Sequence, residues 1–262
     1  MLNKSKHNKL RTALRSHTKR HLSPKRSLAL GEADTRQIID DMITNVLGYA
    51  LIDEVVSEFA IKGLKADYLV QLKGKPRFLI EAKSFATDLK AKHLNQVSLY
   101  AAKNGMEWVL VSNGRHYDLH KIILGKSLDT RKVFSVDLTD PKRFQESLDA
   151  LQYLHKFAVN TKGLDLLWRK TIALDAPNIA GLLYAPTVLN YLKRTLKAKH
   201  KRKFNDAEVI IALDRVVEAP VDLDLVNPIR VKKSKGGKQS STTSTSPAPQ
   251  SAIATVVTAV EN

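Results

Sequence analysis

Two strand-like runs that each carry an acidic residue constrain the fold of this chain more than any other feature. Residues 66–72 and 78–83 are rich in apolar residues, and the short stretch between them contains Gly and Pro, which favour turns. A three-residue loop at 73–75 would set Asp67 directly opposite Glu81, where cross-strand side chains lie about 5 Å apart. We therefore predict a β-hairpin that presents two carboxylates on one face.

A lysine completes this acidic pair. Side chains alternate along a strand, so Lys83 is expected on the same side as Glu81, with the carbonyl of Ala82 between them at the strand edge. Two carboxylates held this close repel each other and favour a cation between them. Hard oxygen ligands suit Mg²⁺ or Mn²⁺, which also bind phosphate oxygens. The spacing therefore predicts a metal-dependent site that cleaves phosphodiester bonds.

Two predicted helices offer further polar side chains. Glu32 lies at the start of a helix that we expect over about 34–47. A second helix is predicted over about 87–103, with its cap at the first two of these residues. Gln96 and Tyr100 lie four residues apart in it and therefore share one helical face.

The order of these elements identifies a family. The motifs along the chain are Gly31-Glu32-Ala33-Asp34-Thr35-Arg36, Leu47-Gly48-Tyr49, Ala66-Asp67-Tyr68, Ile80-Glu81-Ala82-Lys83, Gln96-x-x-x-Tyr100 and Val111-Ser112-Asn113-Gly114. From about residue 30 to about 155, the chain resembles the N-terminal nuclease domain of type I restriction enzyme R subunits, which belongs to the PD-(D/E)xK nuclease superfamily. This resemblance implies an α/β fold with a mixed β-sheet flanked by helices, as in restriction endonucleases.

The resemblance also implies the roles of individual residues. The implied catalytic set is Glu32, Asp67, Glu81, Lys83, Gln96 and Tyr100. In this set Asp67 and Glu81 are metal ligands, to which we add the carbonyl of Ala82, and Lys83 is the catalytic lysine. Glu32 is the helix acid, whereas Gln96 and Tyr100 form an accessory motif that orients Lys83 or a phosphate. Ala66 departs from the superfamily pattern, which has Pro at that position and uses it for backbone shape.

The charge of the chain indicates a polyanionic partner. Its formal net charge is +17, and residues 1–26 contain nine Lys and Arg residues and no acid. Basic segments bind nucleic acid because they neutralise phosphates and release counterions. The chain has no cysteine, which excludes disulfides and thiolate zinc sites and fits a cytoplasmic protein. It also has no apolar run of membrane-spanning length. The basic N-terminus is similar in composition to a mitochondrial transit peptide as well, and that alternative stays open.

Shifts in composition divide the chain into four segments. We predict a basic N-terminal arm over 1–29, the nuclease-like domain over 30–157, a helical C-terminal extension over 158–218 and a disordered tail over 219–262. The extension contains a basic cluster that could follow a nucleic-acid backbone: Lys193, Arg194, Lys197, Lys199, Lys201, Arg202 and Lys203. A solvated helix end would have the same composition.

Three functions remain compatible with the sequence. The first is a Mg²⁺- or Mn²⁺-dependent nuclease that acts on nucleic acid, with DNA as the expected substrate. The second is a non-catalytic nucleic-acid-binding module, because a Glu-x-Lys pair on a strand can also be a surface ion pair. The third is an accessory protein recruited by a partner, since 262 residues leave no room for the DNA-translocating motor domains of type I R subunits. Such a partner would supply targeting or motor function.

Overall fold

The computed structural model describes residues 2–22, 30–61, 64–125 and 127–218. Its helices are α1 (Lys4–His21), α2 (Glu32–Asp41), α3 (Leu51–Glu54), α4 (Ala91–Lys103), α5 (Phe144–Leu151), α6 (Lys156–Asn160), α7 (Gly163–Ala173), α8 (Ala176–Leu183), α9 (Pro186–His200) and α10 (Asp206–Glu218). Its strands are β1 (Val55–Ile61), β2 (Leu64–Leu72), β3 (Lys75–Ala82), β4 (Trp108–Ser112), β5 (His116–Leu124) and β6 (Leu128–Asp137). Within the described ranges, every helix is too short or too polar to cross a membrane.

The six strands form one mixed sheet whose order follows the chain. Strands β3 and β4 are parallel, and every other neighbouring pair is antiparallel. A parallel pair needs a crossover connection, and α4 provides it between β3 and β4. Helices pack on both faces of the sheet. The predicted α/β fold, a mixed sheet flanked by helices, is therefore confirmed.

The β2–β3 hairpin reaches the predicted register by a different route. The turn has two residues, Lys73 and Gly74, with φ values of 52° and 70°, so the predicted three-residue loop is wrong. One extra residue, Arg77, then bulges from β3, because Gln71 pairs with Pro76 whereas Val70 pairs with Phe78. The bulge compensates for the shorter turn. Tyr68 consequently pairs with Ile80, and Asp67 and Glu81 are the next residues along their two strands.

The two faces of the sheet bury separate apolar clusters. On one face Phe78, Ile80 and Ala82 of β3 pack with α1, α2 and the later helices. On the other face Leu79 packs with Leu69 of β2 and with the inner side of α4. Because side chains alternate, Phe78, Ile80 and Ala82 lie on the first face, and Leu79 and Glu81 lie on the face covered by α4.

The N-terminal segment is part of the folded domain rather than the predicted free arm. Residues 4–21 form the single helix α1, and the side chain of Asn3 caps it by accepting a hydrogen bond from the Lys6 N–H at 2.9 Å. Leu10 and Leu14 of this helix are completely buried in the cluster on the first face. The prediction failed because a basic composition hides the apolar stripe that packs on the domain. Residues 23–29 and the predicted disordered tail at 219–262 lie outside the described residues.

The predicted C-terminal extension is helical. Its first long helix, α7, places Leu164 and Leu167 in the same apolar cluster as the sheet, and its Trp168 ring meets Trp108 edge to face at 6.5 Å. By contrast, α8 has no buried residue. Packing on the sheet therefore decreases along the extension.

Candidate active site

The two predicted carboxylates lie close together at the end of the β2–β3 hairpin, one residue beyond the Tyr68–Ile80 pair. Glu81 follows Leu79 by two residues and therefore projects to the face that α4 covers. The backbone holds Asp67 in place, because the Ala82 N–H donates to its Oδ2 at 2.7 Å. Only 12% of the Asp67 side chain and 14% of the Glu81 side chain are exposed. The sheet therefore places two largely buried acids side by side.

Lys83 lies beside Glu81, immediately after β3 ends. Its Nζ donates to Glu81 Oε1 at 2.5 Å, and its backbone N–H donates to the Ser112 carbonyl of β4 at 2.8 Å. This backbone hydrogen bond to β4 fixes the position of the Lys83 backbone, from which its side chain extends. The Lys83 side chain is 23% exposed and thus remains partly accessible to a ligand.

Negative charge accumulates at this site. Burial, together with repulsion from Asp67 and Glu32, raises the pKa of Glu81, and the ammonium of Lys83 offsets only part of this effect. The carboxylates of Asp67 and Glu32 are thus close enough to repel that of Glu81 electrostatically. A cation placed among the three carboxylates would reduce this repulsion.

Arg36 is a member of the site that the sequence did not reveal. One guanidinium nitrogen, Nη2, is hydrogen-bonded to Asp67 Oδ1, and the other, Nη1, donates to Glu58 at 3.0 Å. Burial tends to lower the pKa of Arg36, but the attraction of Asp67 and the hydrogen bonds to Glu58 and Asp67 outweigh it and raise the pKa. The guanidinium therefore supplies positive charge to Asp67 from the side of α2. The one available signal was the spacing Glu32-x-x-x-Arg36, which places both residues on one face of a helix.

Glu32 lies at the rim of the site. It is the first residue of α2, 46% of its side chain is exposed, and its Oε1 is 3.8 Å from Nη2 of Arg36. Its position is therefore that of an outer carboxylate, which contributes to the electrostatics of Glu81 without a direct hydrogen bond to it.

Within the described residues, neither member of the predicted accessory pair is hydrogen-bonded to Lys83. Gln96 is exposed on α4, and among the described residues no hydrogen bond joins it to Lys83. Tyr100 is completely buried in the apolar cluster under α4, where its ring meets Phe59 edge to face at 6.0 Å. Its hydroxyl is buried without a hydrogen-bond partner. Gln96 and Tyr100 are one helical turn apart on α4. Even so, Tyr100 is buried in the core, whereas Gln96 is exposed to solvent.

The connection between β3 and α4 forms one wall of the site. The helix starts at Ala91, three to four residues later than the cap predicted at 87–88, and the residues before it form an ordered loop. Asn113 is buried and donates to the Thr87 carbonyl at 2.8 Å, while Arg115 donates to the Phe85 carbonyl at 2.9 Å. These two bonds tie the loop to the β4–β5 turn. Asn113 belongs to the Val111-Ser112-Asn113-Gly114 motif, but the sequence did not reveal its bond to this loop.

The basic cluster of the extension is at the end of α9 and in the residues that follow it. Five of its seven members are exposed and form no ion pair within the described residues: Arg194, Lys197, Lys199, Lys201 and Lys203. Lys193 is paired with Asp206, whereas Arg202 is 3.7 Å from Glu208. Tyr191 is 58% exposed beside Arg194. The cluster thus presents free cations and one accessible aromatic ring.

Comparison with known proteins agrees with the family that the sequence indicated. Residues 31–128 match the family of the type I restriction enzyme R protein N terminus, so the predicted resemblance is confirmed. A solved cryo-EM structure of a DrdV–DNA complex is similar over 76% of this chain and 17% of that chain, with 14% sequence identity and a TM-score of 0.34. The present chain thus spans a small part of that protein's length. No curated protein matches the chain.

Proposed function

We propose that this chain, in which residues 31–128 are similar to the N terminus of type I restriction enzyme R proteins, is a metal-dependent nuclease that hydrolyses DNA. The observation that supports this proposal most directly is the cluster of Asp67, Glu81 and Lys83 at the end of one hairpin. All three residues, together with Glu32, lie inside the segment that matches the family.

The side chains at this site fit a hard divalent ion. Asp67, Glu81 and the Ala82 carbonyl would hold Mg²⁺ or Mn²⁺, with Glu32 as an outer carboxylate. The raised pKa of Glu81 supports this fit, because burial and the neighbouring acids leave negative charge that a cation relieves. When bound, such an ion polarises a phosphate oxygen and lowers the pKa of a bound water.

The protein's own groups then have separate tasks. Lys83 orients the attacking water and places positive charge near the phosphate, where negative charge increases in the transition state. Asp67 is fixed by the Ala82 N–H, which keeps its carboxylate in place before the substrate arrives. Arg36 holds the second oxygen of Asp67 by a hydrogen bond. Tyr100 contributes packing rather than a polar contact.

DNA binding would come from the positive charge of the chain. The exposed lysines and arginines of the basic cluster can contact phosphates, and Tyr191 can stack on an unpaired base. Such contacts recognise the backbone, so binding should depend steeply on salt and little on sequence. A protein partner that supplies targeting would complete this arrangement.

A plasmid-nicking assay tests the catalytic proposal. Wild type is expected to nick DNA with Mg²⁺ or Mn²⁺ and to be inactive in EDTA. Lys83→Ala should reduce the rate on the order of a hundredfold or more, because it removes a positioned charge, and Asp67→Ala should abolish metal-dependent cleavage. Lys92→Ala is the matched control, since Lys92 is an exposed lysine of α4 without a partner among the described residues.

A second function is favoured by one specific contact pattern. Arg36 is bonded to Asp67 and Lys83 to Glu81, so both acids have a cationic partner within the protein. This pattern also suits a DNA-binding module without catalysis. If wild type and Lys83→Ala bind DNA equally and neither cleaves duplex, single-stranded or RNA substrates in any metal, the binding module is the better account.

A further inference from the structure

A second cluster of metal-ligating groups lies where α1 meets the end of α2. His17 and His21 are one helical turn apart on α1, and Asp41 is the last residue of α2. One ligand atom from each of the three residues lies within 4.8 Å of the other two. These residues are separate from the acidic pair of the β2–β3 hairpin, and they have no part in the proposed nuclease function.

We propose that His17, His21 and Asp41 form a binding site for a divalent transition metal ion, represented by Zn²⁺, that fastens α1 to α2. Two histidines four residues apart on a helix and one carboxylate from a neighbouring element are a typical set of zinc ligands. Solvent would supply the fourth position, because His21 and Asp41 remain 14% and 11% exposed.

The two oxygens of Asp41 are used differently, which supports this assignment. Its Oδ1 accepts hydrogen bonds from Arg20 at 2.6 Å and from Asn45 at 2.7 Å. Its Oδ2 faces the imidazoles, 2.6 Å from Nδ1 of His17 and 3.0 Å from Nε2 of His21. A carboxylate that ligates a metal is commonly held in this way, with one oxygen fixed by donors and the other directed at the ion. Arg20 therefore orients Asp41 from the side away from the histidines.

His17 gives an independent indication. Its side chain is only 1% exposed, and its Nε2 has no hydrogen-bond partner within the described residues. A buried polar atom that is left unpaired is costly, and hydrogen bonds inside the protein satisfy only Nδ1 of this ring, which contacts Asp41 Oδ2.

Such a site would add to the attachment of the N-terminal helix. Leu10 and Leu14 already bury one side of α1. A metal shared by α1 and α2 would link the basic helix directly to the helix that carries Glu32 and Arg36 at its other end. Occupancy should therefore raise the stability of the whole chain, because the ligand set exists only in the folded state.

The test uses the full chain, stripped with a chelator and titrated with Zn²⁺ against a chromophoric competitor. We expect Zn²⁺ to bind these three residues with a Kd of about 1 µM or lower, and a rise in Tm of about 5–10 °C when free Zn²⁺ is a hundred times this Kd. His21→Gln should weaken this binding by more than the roughly 10- to 100-fold that losing a ligand's hydrogen-bond partner costs. His7→Gln, on the same helix, should keep the wild-type affinity.

Co²⁺ gives a readout that does not depend on any variant folding. In the wild-type chain it should produce the strong visible absorption of a tetrahedral site with nitrogen ligands, whereas a site of oxygen ligands alone would absorb weakly. The proposal is overturned if wild type takes up no stoichiometric Zn²⁺, or if the strong Co²⁺ absorption is missing. It is also overturned if His21→Gln binds Zn²⁺ as wild type does.

Discussion

Replacing Arg36 by Gln should reveal whether its guanidinium and a metal ion compete for Asp67. In wild type, Arg36 is bonded to Asp67, whose side chain is only 12% exposed, and its contact with the exposed Glu58 adds little. A hydrogen bond to a charged group is worth about 1.5–3 kcal/mol. About a third of the Arg36 side chain is exposed, so solvent screening reduces this, and we take about 1–2 kcal/mol.

This magnitude predicts two opposite effects. Without metal, Arg36→Gln should lower Tm by about 2–8 °C, because Asp67 is left beside Glu81 with one cation fewer. With Mn²⁺, the variant should bind the ion about 5–30 times more tightly than wild type, because the metal no longer displaces a guanidinium from Asp67. Calorimetric titration gives the affinity, and thermal unfolding with and without Mn²⁺ gives the stability.

Arg143→Gln is the matched control, because Arg143 forms an exposed ion pair with Glu146 and should change neither quantity measurably. The reasoning fails if Arg36→Gln binds Mn²⁺ no more tightly than wild type. Weaker binding would mean that Arg36 helps to assemble the metal site. Unchanged stability in EDTA would mean that its bond to Asp67 contributes nothing.

Three further outcomes are expected. Glu81→Gln should gain stability relative to wild type as the pH rises from about 4 to 7 in EDTA. The reason is that the pKa of Glu81 is raised, so its ionised form is unfavourable in the folded protein. A difference in Tm between the two proteins that does not change with pH would contradict this. Leu14→Ala should cost about 2–5 kcal/mol in urea unfolding, since Leu14 is completely buried, whereas a free N-terminal arm would show no change. Replacing Lys197, Lys199 and Lys203 together by Gln should reduce the slope of log K against log salt by up to about 0.9 per lysine in duplex DNA binding, and an unchanged slope would place the DNA elsewhere.

The hairpin shows how much local pattern can predict. Alternating apolar residues on both sides of Gly74 were enough to predict the hairpin that brings Asp67 close to Glu81. The length of the turn was not predictable, because a two-residue turn followed by a bulge at Arg77 gives the same register as a three-residue loop. A periodic pattern fixes which side a residue faces, but it leaves the exact path between the strands open.

Helical faces were harder to assign. The spacing of Gln96 and Tyr100 places them on one side of α4 but does not say which side meets the sheet. Tyr100 of α4 is buried because it packs with Phe59 of β1, and only folding brings these two elements together. Likewise, the positive charges of residues 1–26 suggested an arm, whereas Leu10 and Leu14 decide that α1 packs on the domain.

The sequence alone determined the secondary structure around the site and the positions of Asp67, Glu81 and Lys83 within it, because strand alternation and turn residues act over a few neighbours along the chain. Only the tertiary structure decided which partners those groups receive. Arg36 reaches Asp67 across 31 positions, and the α1 histidines meet Asp41 across 20 positions or more. Such contacts depend on how whole helices pack against the sheet, and burial and charge pairing over that distance leave no local pattern in the sequence.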